Sequence, residues 1–220
     1  MHEEVNHCFT SCVPYRRTPA IQARFDAQRA AVLHAATDLL RERGYAGCSM
    51  AAVAAQARIA TGTVYRHFPS KTDLVVELFR TVVGREVAAV AEASRGHGGL
   101  VERVVAVTET FAIRALKSPR LAYALLAEPV DPAVDVERLV FRRTFRDLFA
   151  APIADGVRLG VLPRQDPQLT AAALVGAVAE ALVGPLAEGT AAPDTVSELV
   201  SFTVRALGVP VSPGGSDADS

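Results

Sequence analysis

An all-α fold of about nine helices is predicted by three features of the 220-residue sequence: apolar residues recurring at three- and four-residue intervals, breaks at Gly- and Pro-containing segments, and no alternating strand pattern between them. Hydrophobic residues make up 50% of the chain, enough to bury one small core and a larger one. The formal net charge of −1 excludes a protein that coats nucleic acid by charge alone. The charge is unevenly placed, however. Through Lys71, nine Lys/Arg stand against five Asp/Glu, a net +4, and the remainder carries −5. A basic head on an acidic body is the expected organisation.

The elements follow in order. Residues 1–20 read as a flexible leader, with His2, Glu3 and Glu4 where a secretory signal would carry positive charge. No stretch approaches eighteen uninterrupted apolar residues, so a soluble, cytoplasmic protein is expected. Cys8, Cys12 and Cys48 are too few and too clustered for a disulfide framework. His7, Cys8 and Cys12 could ligate zinc, but a fourth ligand at useful spacing is missing; incidental thiols are the alternative, and neither metal nor cofactor is expected. From Phe25 to Arg43, Val32, Leu33, Ala36, Leu39 and Leu40 mark an amphipathic first helix that ends at Gly44. Ser49 can cap a short second helix, Met50 to Ala57, with Met50, Val53 and Ala57 on one face.

After a break at residues 58–60, Thr61 to His67 reads as a third helix whose Val64 and Phe68, with Ile59, point inward. Gly62 and the β-branched Thr61, Thr63 and Val64 make it an intrinsically poor helix, so something other than propensity selected those residues. Ser70-Lys71-Thr72-Asp73 is a capping box with Asp in place of Glu, opening a long helix with Leu74, Leu78 and Val82 on one face. Breaks at Gly96 to Gly99, Ser118-Pro119, Pro129 to Pro132, Gly160 to Pro167 and Gly189 to Pro193 divide the body. Asp166-Pro167 is an N-cap followed by Pro at the first helical position, starting an alanine- and leucine-rich helix to about Ala187. Gly208 and Pro210 stop the last helix, and residues 210–220 read as a disordered tail.

The stretch Gly44 to Lys71, GYAGCSMAAVAAQARIATGTVYRHFPSK, combines a helix-opening Ser49, a small-residue second helix, a turn, Thr61-Gly62-Thr63-Val64-Tyr65-Arg66-His67-Phe68, and Ser70-Lys71. In this order and spacing it resembles the N-terminal domain of the TetR family of transcriptional regulators. A helix-turn-helix reader needs a short helix whose outward residues reach base edges in the major groove, with donors at its margins on phosphates. Thr61 and Thr63 are short enough to touch a base edge, Gly62 lets the backbone approach DNA, and Arg66 is the long base-reading candidate. Tyr65, His67 and Lys71 can donate to phosphate oxygens. The resemblance adds Ser49 to the phosphate contacts and supports base or near-base contacts for Thr61, Gly62 and Thr63. Taken singly, Tyr65, His67 and Lys71 also read as ordinary core or surface residues. Arg58 stands where Gly is common in the family's turn, and Ala60 where Ser often caps the recognition helix. Arg16, Arg17, Arg24 and Arg29 read either as a minor-groove arm or as solvated charge.

The resemblance implies a DNA-binding domain at residues 21–72 and a ligand-binding and dimerisation domain at 73–209, acting as a homodimeric repressor released from an operator by a small molecule. In such proteins two C-terminal helices per subunit form a four-helix interface. Ala171, Leu174, Val175, Val178 and Leu182 offer an apolar stripe for it, with burial in the chain's own core as the alternative. Phe79, Phe111, Tyr123, Leu126, Arg142 and Phe145 lie on helices that commonly line the family's inducer pocket, and an apolar or aromatic ligand is expected. An enzyme is not expected, for the sequence carries no nucleophile constellation, phosphate-cradling glycine loop or zinc signature. A helical adaptor binding only protein is the remaining alternative.

Overall fold

A computed structural model describes residues 18–96 and 98–209, which form helices and no strand. In chain order the helices are α1 (Pro19–Arg43), α2 (Met50–Gln56), α3 (Thr61–His67), α4 (Lys71–Ser94), α5 (Leu100–Lys117), α6 (Pro119–Leu126), α7 (Pro132–Arg158), α8 (Pro167–Glu188) and α9 (Thr195–Ala206). All five breaks expected in the body separate two of them. The readings of Cys8, Cys12, Arg16, Arg17 and the tail fall outside the described residues.

The caps explain most boundaries. Thr18 accepts a hydrogen bond from the Ile21 amide and Pro19 sits in the first turn, so α1 begins before the expected Phe25 and takes residues assigned to the leader. Those early turns bury little, Ile21 being 45% exposed, which is why apolar periodicity does not reveal them. Ser49 accepts from Ala52 N at 3.1 Å and Ser70 from Asp73 N at 3.0 Å. Asp73 completes its box with the Ser70 hydroxyl, which donates to Oδ2 at 2.7 Å. Asp166 accepts from the amides of Gln168 and Leu169.

α3 has no such support. Its N-cap is Ala60, without a side-chain hydrogen bond. The turn before it places Arg58 at φ 54°, a left-handed conformation that no other non-glycine residue adopts among those described. Both departures from the family's usual residues therefore fall at the entrance to one seven-residue helix. Supplying the missing acceptor with Ala60→Ser should stabilise the protein by about 1 kcal/mol and raise its Tm by roughly 2–4 °C in a thermal melt. An unchanged Tm would mean that Thr61 or water already satisfies those amides.

The head packs α1, α2 and α3 around Val32, Leu39, Val53, Val64 and Phe68, with Leu74, Leu78 and Val82 from α4, as their spacing predicts. Leu121 and Ala124 of α6 close the same cluster, so the body reaches into the head's core. Arg24 and Arg29 belong to α1 rather than to an arm: Arg29 pairs with Glu77 and lies over the Phe68 ring.

α8 departs from expectation in one respect. It is long and apolar enough to cross a membrane by length and composition, although Glu180 interrupts its apolar run as the sequence predicts. The dimer stripe lies on the wrong side. Ala171, Leu174, Val178 and Leu182 are at most 2% exposed inside the chain's own core, and Val175 is half-buried beside them. Apart from Glu180 and Glu188 its outward face is nearly as apolar as its inward one, so hydropathy marks the inward face poorly; Leu174, Val178, Leu182 and Leu186 are the side chains it buries. The outward face carries Leu169, Ala172, Ala173, Gly176, Glu180, Gly184 and Ala187, so one carboxylate stands between the two glycines. A Cβ added at Gly176 or Gly184 would meet no heavy atom within 4 Å.

Candidate nucleic-acid interface and ligand cavity

The outward face of α3 is built by what its inward face must bury. Val64 is fully buried and Phe68 is 2% exposed, which turns Thr61, Gly62, Tyr65 and Arg66 toward solvent and leaves Thr63 on the flank. Tyr65 is 49% exposed, so it is not a core aromatic. Gly62 has a negative φ and open space where a Cβ would stand, so the fold itself does not require glycine there. Ser49 lies exposed at the start of α2 and its hydroxyl proton remains available while the oxygen caps the helix.

Two expected phosphate donors are placed differently from that simple picture. His67 is half-buried between α1 and α3, its Nε2 3.0 Å from Gln28 Oε1 and its ring 4.2 Å from that of Phe25. Its geometry is that of a packing residue, a correction to the expected phosphate contact. Lys71 Nζ rests over the Tyr45 ring, 4.1 Å from its centroid, a cation–π contact that fixes the ammonium at the start of α4.

The head is tied to the body by carboxylates of the α6–α7 connection. Glu128 accepts from the backbone amides of Tyr45 at 2.9 Å and Ala46 at 3.4 Å. A Cβ on Gly44, whose φ is 68°, would come within 2.9 Å of Glu128 Oε2. Asp131 accepts from the Tyr45 hydroxyl at 2.5 Å and from Thr72 at 3.2 Å. The Tyr45 hydrogen bond, with Thr72 and Lys71 beside it, holds the Asp131 carboxyl below its usual range. Burial and the bond to Asp131 push the Tyr45 phenol up to about 12. A group whose folded pKa is raised contributes stability below its unfolded value, near 10, and loses it as pH climbs through the folded one. Alkaline melts should therefore show a loss of stability between about pH 10 and 12 that Tyr45→Phe abolishes; an identical pH profile for both proteins would show that Tyr45 does not carry the tie.

Within the body lies a cavity of about 300 Å³, walled by Phe79 and Val83 of α4, Phe111 of α5, Leu121 and Leu125 of α6, Phe141, Phe145 and Phe149 of α7, and Val175 and Val178 of α8. Phe79 packs on Phe141 and Phe111 meets Phe145 edge to face, with centroids 5.4 and 5.3 Å apart. Of the residues expected here, Phe79, Phe111, Leu126, Arg142 and Phe145 line the cavity. Tyr123 does not: it turns away to pack against the cluster of Val178, Leu182 and Leu186. Phe141 and Phe149 escaped sequence reading, although their four-residue spacing about Phe145 places all three on one side of α7. Polar groups in the wall are largely engaged. Glu86 forms a two-pronged pair with Arg114 at 2.5 and 3.0 Å, and Arg138 donates to the carbonyls of Ala124, Leu125 and Glu128, closing the end of α6.

Among the described residues no group of three or more His, Cys, Asp or Glu could hold a metal ion. Cys48 is buried in the head, and burial pushes its thiol up, the opposite of what reactivity needs.

Comparison with known proteins bears on both regions. Residues 32–78, covering the second half of α1 through the first turns of α4, match the family described as bacterial regulatory proteins, tetR family. An uncharacterized HTH-type transcriptional regulator of Mycobacterium tuberculosis is 30% identical over 158 residues, spanning 70% of this chain and 68% of the relative. An HTH-type transcriptional repressor of the same organism is 50% identical over 46 residues, 21% of this chain and 24% of the relative. In three dimensions the fold resembles the transcriptional regulator FadR from Bacillus subtilis, solved in complex with stearoyl-CoA. That likeness has a TM-score of 0.67 at 18% identity, covering 81% of this chain and 95% of that one.

Proposed function

The chain belongs to the tetR family of bacterial regulatory proteins and is a DNA-binding transcriptional regulator, and from that premise we propose that it represses transcription as a homodimer whose hold on its operator is released by a small molecule. Residues 21–72 form the reading domain and residues 73–209 the sensing and dimerisation domain. The observation that carries the reading is the exposed face of α3, where Thr61, Gly62, Tyr65 and Arg66 stand outward in a head of net positive charge. Thr61, Gly62, Thr63 and Arg66 meet base edges; Ser49, Tyr65 and Lys71 hold phosphates. The protein acts where the DNA is, in the cytoplasm, by binding alone, with no catalytic step, metal or cofactor asked of it.

Two such heads are needed, because one short helix makes too few specific contacts; half-sites about 34–36 Å apart accept a two-fold dimer. The outward faces of α8 and α9 supply the contact with a second copy: small residues and two open glycines allow close helix approach, and Phe202, 38% exposed on α9, adds an anchor. The phenylalanine-lined cavity receives an apolar or aromatic effector, a reading supported by the fold neighbour that was solved with an acyl thioester. Coupling of about 1–3 kcal/mol between that cavity and the heads would change operator affinity roughly 5–150-fold.

Footprinting on DNA flanking the protein's own gene tests the reading and recovers the operator; protection confined to one site of two symmetric halves is expected, and no protection anywhere would overturn it. Gly62→Ala sharpens the test. Removing a helical glycine with free space around it should stabilise the fold, by up to about 1 kcal/mol, while the added methyl weakens operator binding. Equal or tighter binding would mean that α3 does not approach DNA at Gly62.

A further inference from the structure

The geometry points to an anionic amphiphile as the effector, its apolar body in the phenylalanine-lined cavity and its acidic head on Arg41, Lys117 and Arg120 at the mouth. This rests on the reading of the chain as a ligand-controlled regulator. The cavity does not end at its aromatic wall. Next to it lies a second pocket of about 540 Å³ that shares Arg41, Lys117, Ser118 and Leu121 with the first and adds Arg120 and Glu188. Arg41 and Lys117 stand where the two meet, and the second pocket adds Arg120 and Glu188 to an apolar part made of Leu121, Leu186 and Ala187.

Those cations are poorly compensated. Lys117 takes part in none of the ion pairs among the described residues. Arg41 has only the exposed pair with Asp38 at 3.4 Å, one turn away on the same helix, which contributes little. Arg120 donates to the carbonyl oxygen of Glu42, leaving its charge without a carboxylate partner. Deeper in the cavity Glu86 is already neutralised by Arg114, so no acid inside selects a cationic ligand. A neutral apolar molecule could fill the aromatic end but would leave the mouth's charges unanswered, whereas a carboxylate or phosphate gains charge-assisted hydrogen bonds there.

The placement also links the ligand to the head. Arg41 belongs to α1, which carries the reading domain, while Lys117 ends α5 and Arg120 opens α6. Arg120 grips the last turn of α1 through Glu42. An acidic group seated among the three is shared between the two domains, and its presence changes how firmly α1 is held against α6. A ligand acts on an equilibrium only through contacts that differ between its states, and Arg41 supplies one.

The test uses the full-length protein with matched ten-carbon probes below their micelle-forming concentrations: decanoate, decyl phosphate, decanol and decyltrimethylammonium. Calorimetric titration should show each anion binding at least about tenfold more tightly than decanol, with the cation weakest, and the two anions separate a carboxylate head from a phosphate one. Arg41→Gln and Lys117→Gln, on opposite sides of the mouth, should each narrow the anion-to-alcohol ratio severalfold; two variants guard against a folding defect in one. Decanol binding as tightly as the anions, an unchanged ratio in both variants, or no binding by any probe would overturn the inference. If the anions bind with the expected preference yet leave affinity for the footprinted operator unaltered, the head-group site stands and the ligand-controlled reading fails.

Discussion

With the proposed homodimer as premise, Gly176→Glu is expected to convert dimer to monomer and to cost at least about a hundredfold in operator affinity, the largest effect of any single change considered for this chain. The argument runs from the space around Gly176, where an added Cβ meets nothing within 4 Å, so the monomer accommodates a side chain there without strain. Glutamate is also a better helix former than glycine, and circular dichroism should report an intact fold. In the four-helix contact proposed between two copies that position would lie where backbones approach, and a second carboxylate, one turn from Glu180, would be costly to bury there. Loss of the second head removes half of the specific contacts and moves affinity toward the non-specific level, about 10³–10⁷-fold below specific binding. Sedimentation at micromolar concentration decides between outcomes: a variant that remains dimeric places the interface elsewhere.

Arg66→Ala should produce the next largest change, and a different kind. Arg66 is exposed on α3, as are Thr61 and Gly62. A two-pronged arginine contact to guanine discriminates by about 1–3 kcal/mol, so the variant should bind the best operator roughly 5–150-fold more weakly for each half-site and lose its preference at one symmetric pair of base positions. Selection from a randomised operator library measures both. Uniform weakening with an unchanged base preference would move Arg66 to the phosphate group.

Most helix boundaries were legible because glycine, proline and capping residues mark them chemically, whatever the tertiary surroundings. The exceptions share a cause. The first turns of α1 bury almost nothing, so no hydrophobic period announces them. α8 is apolar on nearly every side, with Glu180 and Glu188 as its charged residues, and which face meets α7 depends on its neighbours more than on polarity. In the cavity, the family resemblance pointed to the helices but could not distinguish Tyr123, turned toward α8, from Leu126 nearby, which lines the pocket. The tie between head and body was invisible for another reason: Tyr45 meets Glu128 and Asp131 across 83 and 86 residues, and single carboxylates in a loop carry no local signature. On α3 the surface residues were found directly, because a poor helix with a glycine and three β-branched residues needs an explanation beyond folding. His67 was the exception there, since its packing against α1 depends on a partner, Phe25, that lies 42 positions earlier.

The division proposed at residue 72 is one of role, and the packing of α4 gives it a thermodynamic meaning. That helix lends Leu74, Leu78 and Val82 to the head's core, Val75, Phe79 and Val83 to the cluster beneath α7, and Val90 to the cluster against α8. Severing the chain there would open the hydrophobic wall on which α1 and α3 rest, and Leu121 and Ala124 would depart with the body. Neither part can melt while the other keeps its enthalpy. A scanning calorimeter should record one endotherm for the whole chain, with equal calorimetric and van't Hoff enthalpies at fixed dimer concentration, rather than the two steps that separately folded domains would give.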